Sequence, residues 1–208
     1  MKFNVICADP PWGFNDGLKN MKRTTKRAAA SQYGTMSPAQ IGALDVASLA
    51  NPMGCVMALW VPGSMLSHGL GVLDAWGFKQ KQVFVWVKLK KKYREEDDWN
   101  NSTRVGMGRL FRQSHEIALI GTSGKSVYPW LEDRSQRSVA FDLNAEHSTK
   151  PQTLQKRLDK MFPDVPKLEL FARRQRKGWT CLGDGIDGKD IVASIHDTTH
   201  DVVSVLEG

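Results

Sequence analysis

Long apolar runs are missing from this 208-residue chain. None approaches the ~20 residues that a membrane-spanning helix needs. The opening MKFNVICADPP turns polar too soon to read as a secretory leader. Cysteine is scarce. Cys7, Cys55 and Cys181 are odd in number, far apart and set among apolar neighbours. They read as reduced core thiols of a cytoplasmic protein, and no pair has zinc-ligand spacing. There is no internal repeat and no low-complexity block. Acid is thin in two places. Residues 15–32 carry Lys19, Lys22, Arg23, Lys26 and Arg27 against Asp16 alone, and residues 79–94 carry no acid at all.

What is present describes a globular domain. Hydrophobic residues make up 41% of the chain, which excludes disorder throughout. The length fits one domain, 1–208, able to bury roughly 70% of the surface its unfolded chain exposes. The formal net charge of +7 points to an anionic partner.

Elements follow from the pattern of apolar residues. Residues 3–8, 55–61, 82–88, 115–122, 167–172 and 178–184 read as strands, with a short one at SVAF (138–141). In SPAQIGALDVASLA, Ser37 is a good N-cap, Pro38 suits the first helical position and Gln40 completes a capping box, so a helix is expected over 38–50. Residues 64–76, stopped by Gly77, and residues 151–162 read as two further helices. Residues 13–32 and 88–114 read as basic loops. Strands alternating with helices argue for an α/β fold, a mainly parallel sheet with helices on both faces. Ligands on such sheets bind beyond the carboxyl ends of the strands. Asp9, Glu116, Arg173 and Asp184 all fall at or near predicted strand ends, so one crevice could gather them.

The first strand runs straight into Asp9-Pro10-Pro11-Trp12. By average residue usage this tetrapeptide arises by chance in roughly one chain of this length in a few thousand. Its chemistry suits an aromatic amino group that must attack a methyl donor. The nitrogen lone pair is delocalised into the ring. A carboxylate accepting one N–H and a carbonyl accepting the other would favour a pyramidal, more nucleophilic nitrogen. Asp9 supplies the carboxylate and Pro10 the carbonyl. Two prolines stiffen the turn so that the acceptors are placed in advance. Trp12 would offer a flat face to an extruded base. The bland alternative is a Pro-Pro turn and a core tryptophan.

ADPPW, YGTMS (33–37), LWV (59–61), WG (76–77), VWVK (85–88), HSTKP (147–151), KLELFAR (167–173) and GW–LGD (178–184) occur in the order found in the adenine-N6 methyltransferases of the MT-A (70-kDa subunit) family. The chain resembles the short bacterial and phage members, which look like DNA methyltransferases, over about residues 3–188. The resemblance implies a Rossmann-like fold with permuted motif order, S-adenosylmethionine as cofactor and DNA as partner. It implies no metal and no membrane, a cytoplasmic setting in a bacterial or phage-infected cell, and it leaves a homodimer open.

Site residues follow from the same resemblance. Asp9 to Trp12 would hold the target adenine, with Asp9 also near the cofactor's amino group. Tyr33 and Glu116 would line the target site. Lys150 would pair with the methionine carboxylate. Phe171 and Arg173 would meet the cofactor and Asp184 its ribose, while Glu169, on the same strand, could be a cofactor ligand or a support for Arg173. Larger relatives have a segment before the catalytic strand that helps bind the cofactor's adenine. Here Asp190 and Ile191 are candidates for that task. The histidine before the family's lysine is Thr149 here, and Gln175 or Arg176 could take over a carboxylate contact.

The basic loops would flank the pocket, with Lys22, Arg23, Lys26, Arg27, Lys90, Lys91, Arg109 and Arg112 holding phosphates. Gly106 and Gly108 would let backbone approach a flipped strand. His68, His115 and His147 read as core or surface histidines. Three rivals remain: the same chemistry on RNA, a non-catalytic nucleic-acid-binding partner subunit, and methylation of cytosine N4 or of a small molecule. DPPW fits the last less well, because N4 enzymes usually carry serine in place of the aspartate.

Overall fold

The computed structural model of the protein describes residues 1–13, 34–92, 98–106, 110–143 and 150–200. Seven strands form one sheet: β1 (Val5–Ala8), β2 (Cys55–Val61), β3 (Lys79–Leu89), β4 (His115–Ser123), β5 (Val139–Leu143), β6 (Lys167–Leu170) and β7 (Thr180–Leu182). Their spatial order is β5-β3-β4-β2-β1-β6-β7. Six strands point the same way, while β4 runs antiparallel to both its neighbours, β2 and β3. This is the expected α/β, Rossmann-like, mainly parallel sheet with one reversed strand. Helices α1 (Pro38–Gly42), α2 (Leu66–Ala75), α3 (Trp99–Ser102), α4 (Thr153–Met161), α5 (Asp184–Asp187) and α6 (Ile191–His200) complete the described elements.

Alternation along the central strands sorts side chains onto two cores. Ile6 and Ala8 of β1 join Met57 and Leu59 of β2, Leu73 of α2 and Ile195 of α6 on one face. Val5 and Cys7 join Ala58, Trp60, Trp86, and Leu154 and Leu158 of α4 on the other. β1 and β2 are buried on both faces, which is why VICA and CVMALWV are continuous apolar runs.

Two expected elements end early. The capping box at Ser37 and Gln40 forms as predicted, yet the helix stops at Gly42. Trp76 donates its indole N–H to the Ile41 carbonyl. Asp45 then accepts from the Ser48 N–H and starts a separate short turn, Ala47–Leu49. The strand expected over 167–172 ends at Leu170, because Phe171 takes a φ of +60°. The tail after Asp190 is helical, packing Ile191 and Ile195 into the core.

Candidate active site

The two halves of the sheet deliver their functional side chains to the carboxyl edge. Asp9 follows the last residue of β1, Trp60 is near the end of β2, Lys88 near the end of β3, and Phe171 just after β6. Glu116 is at the beginning of β4. Because β4 is reversed, its beginning lies at the same edge.

The motif turn is fixed from both sides. The Trp12 N–H donates to the Pro10 carbonyl at 2.9 Å. The Pro11 carbonyl accepts from Met36 N–H at 2.8 Å, and Gly13 N–H donates to the Met36 carbonyl at 2.9 Å. DPPW is therefore laid alongside the chain at Met36, so two motifs more than twenty residues apart in sequence form one wall. Trp12 differs from expectation. Its ring is only 6% exposed and belongs to the core, with the indole N–H donating to the Trp60 carbonyl at 2.9 Å. It buttresses the turn rather than presenting an open stacking face.

Lys150 joins two carboxylates. Its ammonium donates to Asp9 Oδ1 and Oδ2 at 2.8 and 2.9 Å and lies 3.3 Å from Glu116 Oε2. It also sits 5.5 Å from the centre of the Trp60 ring. Lys88 pairs with the other oxygen of Glu116. Burial alone would raise the Glu116 pKa, but the Lys150 and Lys88 ammonium groups outweigh it and hold the carboxyl below its ordinary value. Burial would likewise lower the Lys150 pKa, and Asp9 and Glu116 reverse that and raise it. Both shifts favour the charged forms.

Beside this cluster is a cleft lined by Asp9, Trp60, Lys150, Glu169, Phe171 and Arg173. These include the residues expected there at 150, 169, 171 and 173. Its wall also includes residues that sequence reasoning passed over. Gln155 is 4% exposed and donates to Glu169 Oε1 at 3.3 Å. Arg176, proposed only as a substitute contact, donates through Nε to Glu169 Oε2 at 2.8 Å. Burial first, then the Glu169 and Asp9 charges, push the Cys7 thiol at its base well above the usual range and leave it inert. A glutamine interrupting the apolar face of Leu154 and Leu158 was the available signal for Gln155. Lys88, closing the apolar strand VFVWV, was the signal for the second ammonium.

Phe171 is the only described residue other than glycine with positive φ, a conformation that costs about 1–3 kcal/mol and clusters at ligand sites. The turn is held by Gly183. A Cβ at that position would fall 2.5 Å from the Ala172 carbonyl oxygen.

Three residues expected at the cofactor lie outside the lining of this cleft. Asp184 is exposed at the head of α5 and is absent from the cleft lining. Asp190 accepts from the Val192 N–H at 2.8 Å and so caps α6. Ile191 is 8% exposed in the core. Short helix-forming chemistry claimed the last two. Lys90, Lys91 and Arg112 are exposed in the segment between β3 and β4, at the carboxyl edge. Tyr33, Lys22, Arg23, Lys26, Arg27, Arg109 and Gly108 lie outside the described residues.

Comparison with known proteins adds an independent line. A family model described as MT-A70 matches residues 3–185. The chain is 29% identical to the Type II methyltransferase M.MunI of Mycoplasma sp over 195 residues, covering 88% of this chain and 77% of that protein. It is 30% identical over 193 residues to an Arabidopsis thaliana N(6)-adenosine-methyltransferase MT-A70-like protein, covering 91% of this chain and 24% of the relative. Against the human N(6)-adenosine-methyltransferase catalytic subunit METTL3 it is 26% identical over 190 residues, covering 90% and 29%. The chain thus spans about a quarter of the plant and human relatives.

Proposed function

Because the chain belongs to the MT-A70 family, we propose that it transfers a methyl group from S-adenosylmethionine to N6 of adenine in DNA. The observation that carries this reading is the Asp9–Lys150–Glu116 cluster at the sheet's carboxyl edge, opening on the adjoining cleft.

The cleft's chemistry fits the cofactor. Carboxylates and cations alternate around it, as a group bearing an ammonium, a carboxylate and a sulfonium requires. Two buried polar atoms on its wall, Trp60 Nε1 and Gln155 Oε1, have no partner among the described residues. Lys150, Arg173 and Glu169 would hold it, with Phe171 supplying apolar contact. When bound, it supplies an electrophilic methyl on a positively charged sulfur, whose bonding pair stays on sulfur as the methyl leaves.

The protein's own part is placement. Asp9 is gripped through both oxygens by Lys150, so its carboxylate cannot swing away. It accepts one N6–H of the adenine. The Pro10 carbonyl, which already takes the Trp12 N–H, has a second lone pair for the other. As the N–C bond forms, N6 gives up one proton, which leaves through the Asp9 carboxylate to solvent. Lys150 is a positioning residue in this arrangement.

DNA rather than RNA is supported by the Type II methyltransferase among the relatives and by the short members that the chain resembles, which look like DNA methyltransferases. The test is methyl transfer from deuterated S-adenosylmethionine to unmethylated duplex DNA, single-stranded DNA and single-stranded RNA, read as nucleosides by mass spectrometry. Labelled N6-methyldeoxyadenosine is expected. Label on adenosine alone would move the substrate to RNA. Asp9→Ala should lower transfer at least a thousandfold with an unchanged circular dichroism spectrum; normal turnover would overturn the assignment.

A further inference from the structure

A second cavity opens on the α4 face of the sheet, toward the edge opposite the active site. It encloses about 540 Å³, a size typical of small-molecule sites. Its floor is apolar, made by Phe84 of β3, Ile120 of β4, and Leu154, Leu158 and Phe162 along and just after α4. Its rim carries Lys81, Lys125, Arg137 and Arg157, and no lining residue is acidic. Six residues of β4 lie between Glu116 and Ser123 on its wall, a span of roughly 23 Å of extended chain.

Arg157 is the informative member. It is half-buried, with its guanidinium 5.5 Å from the centre of the Phe84 ring. The carbonyls of Arg137 and Val139 hold it there, the latter at 3.0 Å. No carboxylate contacts it among the described residues. Burial and the nearby Arg137 charge both weigh against its protonated form. A solvated surface arginine would turn away from such a place. Ser123 Oγ, on the same wall, is buried without a hydrogen-bond partner among the described residues. A simple packing fault would have no reason to gather four like charges over an apolar floor.

We propose that this cavity binds an amphipathic anion: an apolar chain or ring seated on the Phe84–Leu158 floor, with a carboxylate or phosphate head between Arg137 and Arg157. Charge complementarity selects the head, and the apolar floor selects the body.

The test uses the full chain and two probes, decanoate and 1-naphthyl phosphate, titrated by calorimetry. Decanol and decyltrimethylammonium serve as neutral and cationic controls. At least one anionic probe should bind a single saturable site at least tenfold more tightly than either control. Arg137→Glu reverses an exposed side chain without touching the floor, and should weaken that binding at least tenfold. Leu158→Trp fills the floor and should abolish it, with folding checked by thermal melting. Asp9→Ala, at the other edge, should leave it unchanged. Absence of saturable binding by both anions overturns the proposal. So do equal affinity for the ammonium control, indifference to Arg137→Glu, or loss of binding in Asp9→Ala.

Discussion

At the scale of single residues, the site is a balance of charges. Asp9 and Glu116 face Lys150, and Lys88 closes the set. The folded-state pKa of Glu116 is lowered from its ordinary 4.5. Its contribution to stability is therefore fully present above about that value and fades as pH falls through the lower folded value. Glu116→Gln should cost about 1–2 kcal/mol at neutral pH, because two ammonium groups lose a half-buried partner. That difference should shrink towards pH 3, as read by denaturant melts across the range. A gap independent of pH would mean that shape, not charge, is what Glu116 supplies. The structure brings Asp9, Glu116 and Lys150 together; Asp9 and Glu116 were legible as strand-end positions and Lys150 only through the motif HSTKP, whereas its pairing with both acids was not. The burial of Trp12 was not legible either. Whether an aromatic ring after a turn faces solvent or core depends on the far strand, and here the Trp60 carbonyl captured it. The cap that Asp190 makes on α6 was not legible, because an aspartate before an apolar run serves a helix cap as readily as a ligand.

At the scale of elements, the cleft depends on how closely β7 and α5 approach the Phe171–Arg173 turn. Gly183 permits that approach, and Gly185 follows, where a Cβ would come 2.8 Å from Arg173 Cα. Gly183→Ala should force the two segments apart. We expect a loss of about 1–3 kcal/mol in stability and a several-fold weaker affinity for S-adenosylmethionine, measured by melting and by calorimetric titration. Unchanged affinity would separate this packing from cofactor binding. The two glycines of LGDG (182–185) were visible in the sequence, but what they approached was not. Strand β2 was read to the residue, since an uninterrupted apolar run bounded by glycine and proline has one interpretation. The helix from Pro38 was read too long. Its start is a local capping event, whereas its end was decided by Trp76, which lies 35 positions away from Ile41 in sequence.

At the scale of the whole molecule, strand-helix alternation was enough to identify an α/β sheet, but not the reversal of β4. Parallel and antiparallel strands buried on both faces look alike in sequence. The excess of positive charge also acts at this scale. Neutralising Lys22, Arg23, Lys26 and Arg27 together should weaken nucleic-acid binding. It should reduce the slope of log affinity against log salt by up to about 3–4, measured by fluorescence anisotropy at several salt concentrations. An unchanged slope would show that these side chains remain solvated in the complex. The reversed strand has a broader consequence. Because β4 begins where β3 ends, the segments after β1, between β3 and β4, and after β5 all start from the same rim. We expect these connections to set target preference, so that transplanting them between relatives should exchange it while methyl transfer is retained.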